Sequence, residues 1–77
     1  MNRDAEALRH VGESLYGTCW QTAMAADLNV ALRTVQRWAV GEYRVPRGVW
    51  PELAEICVNH GRDLRELARE LVKAPPE

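Results

Sequence analysis

Apolar residues in this chain recur every three or four positions, and its valines sit at those spacings rather than in alternating runs. That is the pattern of helices, not of strands, and it predicts five of them. Ala5, Leu8, Val11 and Leu15 mark one face of a first helix over about 3–15. Asn2 is placed to cap it, and Gly17, which tolerates the left-handed conformation, closes it after Tyr16. Met24, Ala25 and Leu28 form the inner face of a second helix over 19–28. Thr18 and Gln21 make the T-x-x-Q spacing of a capping box at its start. Val35 and Trp38 define a third helix over 32–40, stopped by Gly41. Leu53, Ile56 and Cys57 define a fourth from Gly48 to Asn59, with Pro51 in the first turn, where no N–H is needed. Gly61 separates it from a fifth helix, in which Leu64, Leu67, Ala68, Leu71 and Val72 fit the i, i+3, i+4, i+7, i+8 template. Asp63 and Glu66 serve as its acidic capping box, and Pro75 and Pro76 stop it, leaving 74–77 as a short tail. In so small a chain the first duty of the Leu64–Val72 stripe is core.

The 77 residues make a single domain over 1–77. A domain of this size buries about 60% of its unfolded surface, so its stability is marginal. The start, MNRDAEALRH, has no apolar signal core, and no apolar run approaches a membrane span. The expectation is a cytoplasmic protein with no membrane partner. Cys19 and Cys57 form no C-x-x-C pair and read as free, buried thiols. Cys57 and His60, with His10 elsewhere, do not complete a tetrahedral site, so no metal and no cofactor are expected. Ser14 is the only serine, and neither a nucleophile–base spacing nor a Gly-rich phosphate loop is present. No catalytic residue and no enzymatic activity are expected.

The formal net charge is -1, which counts against a nonspecific nucleic-acid binder. Its distribution matters more. Arg33, Arg37, Arg44 and Arg47 face only Asp27 and Glu42 within residues 20–50, while the segments on either side are mildly acidic. The positive charge gathers on the middle segment.

That segment also holds a constellation. Two short helices joined by the turn Leu28–Asn29–Val30 fit a helix-turn-helix. Ala25 is small where the second helix of the pair must cross closely. Asn29 is suited to a positive φ. Leu28, Val30, Val35 and Trp38 supply the buried side. Arg33, Thr34, Gln36 and Arg37 are then left pointing outward or sideways. Trp38 reads as core and Trp50 as packing against the first or third helix, while Trp20, which opens its helix, fits either core or a stacking platform for single-stranded bases.

The stretch WQTAMAADLNVALRTVQRWAVGEYRVP resembles the helix-turn-helix of the lambda-repressor/Cro-like (XRE-type) regulators of phage and bacteria. Gln21, Ala25, Val30, Val35, Trp38, Gly41 and Pro46 carry the resemblance, which covers roughly residues 18–50. The chain departs from the pattern at Asn29, where the turn usually has Gly, and at Ala31, where a Ser or Thr usually caps the second helix. Losing such a cap costs about 1 kcal/mol. The resemblance implies an all-α, compact five-helix, lambda-repressor-like domain with the motif at about 20–40. It implies that Leu32, Arg33, Gln36 and Arg37 read bases, and that Gln21, Thr22 and Thr34 lie at the DNA backbone. The chemistry suits those roles. Arg grips guanine O6 and N7, Gln grips adenine, and Leu32 can touch a thymine methyl. Arg44 and Arg47 suit phosphate contacts, and Tyr43 suits one through its hydroxyl or else covers the loop. The expected function is sequence-specific binding of double-stranded DNA by a repressor-like transcriptional regulator. The expected partners are DNA and a second copy of the chain, a homodimer joined through the C-terminal helix. Two alternatives stay open: a phage packaging or recombination accessory, and a protein-interaction module on the same scaffold, which the acidic final third favours.

Overall fold

Leu8, Trp20, Met24, Ala25, Val35, Trp38, Val45 and Leu53 are the side chains that meet in the core. The computed structural model describes residues 3–74, and all of these core residues but Val45, which lies in a loop, stand on four α-helices: α1 (Arg3–Tyr16), α2 (Trp20–Leu28), α3 (Leu32–Ala39) and α4 (Val49–Lys73). A 3-10 turn, Gly17–Cys19, links α1 to α2. No strand occurs among the described residues, so the fold is all-α. Asn2, Pro75 and Pro76, expected as cap and stops, lie outside the described residues.

Gly17 closes α1 at φ +81, as its position predicts. The capping box expected from Thr18 and Gln21 does not form. The chain spends Gly17–Cys19 in the 3-10 turn, so Cys19 is the residue that precedes α2, and it makes no side-chain cap bond. At its other end α2 closes on Asn29, in the left-handed region at φ 57 and ψ 45. The Val30 N–H reaches the Ala25 carbonyl at 3.0 Å and the Asn29 N–H reaches that of Ala26 at 3.2 Å. This is a Schellman closure with Asn in the usual place of Gly.

Ala31 then extends (φ -67, ψ 143), and its carbonyl accepts from the N–H groups of Thr34 and Val35, which starts α3. The end repeats the earlier device. Gly41 at φ +78 lets the Glu42 N–H reach the Arg37 carbonyl, so α3 stops at Ala39, one residue earlier than expected.

Close approach sets the α1–α2 contact. Gly12 is buried, and a Cβ built on it would lie 2.8 Å from Cγ of Trp20. Trp20 is therefore a core residue, which settles its two readings. Trp50 is partly buried against the core. Val45 comes from the loop after α3, and its N–H donates to Oδ2 of Asp4 at 3.2 Å, which ties that loop to the start of α1.

The largest correction lies at the C-terminal end. The expected fourth and fifth helices are one, the 25-residue α4. Gly61 does not break it. Its φ is not positive, and nothing lies within 4 Å of the position a Cβ would take. A glycine inside a helix costs only about 1 kcal/mol, less than surrendering the hydrogen bonds of a continuous ladder. Pro51 does fall in the first turn. Asp63 and Glu66 lie in the helix interior and cap nothing. The stripe expected to be core is bare: Leu64, Leu67 and Leu71 are about half exposed, and Val72 is 85% exposed. Both cysteines are exposed as well, not buried.

Residues 3–56 thus form a head, and the rest of α4 projects from it. The described chain measures 47 × 23 × 22 Å with a radius of gyration of 14.8 Å, against about 11–12 Å for a compact chain of this length. Among the described residues no helix is long and apolar enough to cross a membrane.

Candidate nucleic-acid interface

The direction of α3 is fixed from its inner side. Val35 is fully buried and Trp38 nearly so. Residues about half a turn away must then face outward. Arg33, Gln36 and Val40, at i, i+3 and i+7, form the outward line, and all three are exposed. Leu32 stands at the first helical position, 39% exposed.

Arg37 belongs to the same face but is half-buried. Its guanidinium carbon lies 5.4 Å from the centroid of the Tyr43 ring. That is a cation–π contact, and it gives Tyr43 a role its expected phosphate contact did not include: the ring is a platform for Arg37. The Gly41 turn makes it possible by folding the chain back beside the last turn of α3.

The residues expected at the DNA backbone are spread around this line. Thr34 and Gln21 are half-buried, and Thr22 is exposed on α2. Arg44 projects from the loop with its side chain 88% exposed, its Nε 3.6 Å from Oδ2 of Asp4. Arg47 is exposed just before α4. Among the described residues Arg33 and Arg47 make no ion pair.

Two contributors escape the sequence reading. Val40 is 76% exposed and continues the Arg33–Gln36 line; its i+7 spacing from Arg33 was the available signal. Asp4 holds the arginine-bearing loop through both Val45 and Arg44, a contact between chain positions too far apart for any periodicity to reveal.

Elsewhere, Tyr16 donates its hydroxyl hydrogen bond to Oδ2 of Asp27 at 2.6 Å. Burial, and then this bond to a carboxylate, push the phenol well above its ordinary range. Among the described residues no three His, Cys, Asp or Glu side chains are grouped to hold a metal ion.

No family model matches the chain, and no curated protein or solved structure is significantly similar to it.

Proposed function

We propose that the chain binds double-stranded DNA at specific sequences, as a repressor-like transcriptional regulator, with α2 and α3 acting as a helix-turn-helix. One observation carries the reading. Val35 and Trp38 are locked in the core while Asn29 turns the chain ahead of α3, so Arg33, Gln36 and Arg37 share one outward face. In this reading α3 enters the major groove. Arg33 and Arg37 take guanines, Gln36 takes an adenine, and Leu32 and Val40 touch thymine methyls. Gln21, Thr22, Thr34, Arg44 and Arg47 hold the backbone, and Tyr43 steadies Arg37. The resemblance of residues 18–50 to the lambda-repressor/Cro-like regulators supports the same reading.

Selection from randomised duplexes at low salt tests it. A retained consensus is expected, and its loss when Arg33 and Gln36 are replaced by Ala. Failure to enrich any sequence sinks the proposal. Mapping the consensus to promoters, or instead to a packaging or recombination site, then decides the biological job.

A further inference from the structure

The distal half of α4 carries an apolar face that none of the described residues covers. Leu64, Leu67 and Leu71 are exposed to 53%, 50% and 47%. Leu64 and Leu71 follow the buried Leu53 by eleven and eighteen residues, close to whole numbers of helical turns. The bare face therefore points to the side on which the head sits. Head and bare face bound a notch, whose corner is lined by Asp27, Leu28, Ile56, Asn59 and His60.

A second copy of the chain fits this notch poorly. Two parallel helices in register would put the partner's α4 alongside Leu53, where the core already stands. Two antiparallel helices avoid the core but bring the same edge of each copy together. That edge is acidic. Asp63 and Glu70 border the stripe, with Glu66 behind them. Glu52, Glu55 and Asp27 continue the acidic wall around the corner. Arg65 is turned to the other side of the helix. Arg62 donates to Oδ1 of Asn59 at 3.0 Å, and Arg69 and Lys73 stand beside Glu66 and Glu70 at the far end. The acidic character is therefore strongest at the corner, on Asp27, Glu52, Glu55 and Asp63.

We infer that the notch is a docking site for a helix of a different protein, one with an apolar seam and a basic edge. Its seam covers Leu64, Leu67 and Leu71, and its basic edge meets Asp27, Asp63 and Glu70. The exposed leucines supply the apolar half of such an interface, and the row of carboxylates selects its charge. The inference does not depend on DNA binding.

Two synthetic helical peptides with the same leucine seam test it, one flanked by lysines and one by glutamates. Each is titrated into the isotope-labelled full chain and followed by amide shifts. The lysine peptide is expected to move amides of residues 56–72 and leave those of α3 in place, with affinity falling as salt screens the contact. The glutamate peptide is expected to bind at least about tenfold more weakly. Leu67→Ser, at a site outside the core, is expected to keep the helical spectrum and tryptophan emission and to lose peptide binding. The double variant D63K/E70K is expected to reverse the preference. Equal affinity for both peptides, shifts elsewhere, or no binding overturns the inference. So does a doubling of mass of the chain alone with concentration-dependent shifts along the stripe, which would show a second copy in the notch.

Discussion

The indole of Trp20 occupies the space that a side chain on Gly12 would need. A glycine and a tryptophan eight positions apart act as one packing unit, in which α1 gives up a side chain so that α2 can seat its ring. Gly12→Ala forces a rigid, buried ring to move. It is expected to lower stability by about 1–3 kcal/mol, despite the gain in helix propensity. Gly61→Ala is the control, because that position is open and helical. It is expected to raise stability by up to about 1 kcal/mol. Urea unfolding followed by tryptophan fluorescence reads both.

Asn29 carries the turn between α2 and α3 at a positive φ. Asn29→Val is expected to cost about 1–2 kcal/mol, because a β-branched side chain resists the left-handed region. Asn29→Gly is expected to be neutral or slightly stabilising. Thermal unfolding measures both, and equal melting temperatures for the two variants would contradict the role assigned to this turn.

Stability should decline at alkaline pH through Tyr16. The folded chain holds the phenolic proton above its ordinary pKa of 10.0. Below that value both states keep the proton and the stabilisation is whole. Above it the unfolded chain loses the proton first, so stability falls as pH rises. Tyr16→Phe is expected to flatten this decline above pH 10.0, and to cost about 1 kcal/mol or less at neutral pH through the lost hydrogen bond. Urea midpoints across the alkaline range test the sign.

On DNA, the residues of the outward face should separate by role. Arg33→Ala is expected to cost about 1–3 kcal/mol and relax one base pair, whereas Arg47→Ala weakens all sequences alike and lowers the salt slope by about one. Tyr43→Leu is expected to blur the base pair read by Arg37, while Tyr43→Phe, which keeps the ring, preserves it. Polarisation against single-base variants of the selected site distinguishes these outcomes.

The segment from α2 to Gly41 was legible in the sequence because each of its signals is local. Asn29 and Gly41 adopt positive φ where the spacing places them, and Val35 and Trp38 are buried where the period predicts. Those two buried residues also fix which way Arg33 and Gln36 face. The Arg37–Tyr43 stack was not legible, since it spans the end of a helix and depends on how the chain leaves it. Neither were Gly12 against Trp20 or Asp4 against Val45, which join separate elements. Gly61 misled for a different reason. A glycine is a good stop only when another interaction rewards the stop, and here none does.

The continuity of α4 makes orientation a matter of counting. An unbroken helix transmits angle as well as length, at about 100° and 1.5 Å per residue. Deleting one residue between Val58 and Gly61 would swing the leucines beyond it by more than a quarter turn relative to the head. Deleting the seven residues 57–63 would return them almost to their starting azimuth, about 10 Å nearer. The number of residues in this stretch therefore acts as a phase setting, and a single insertion or deletion can re-aim the projecting half without touching a core residue.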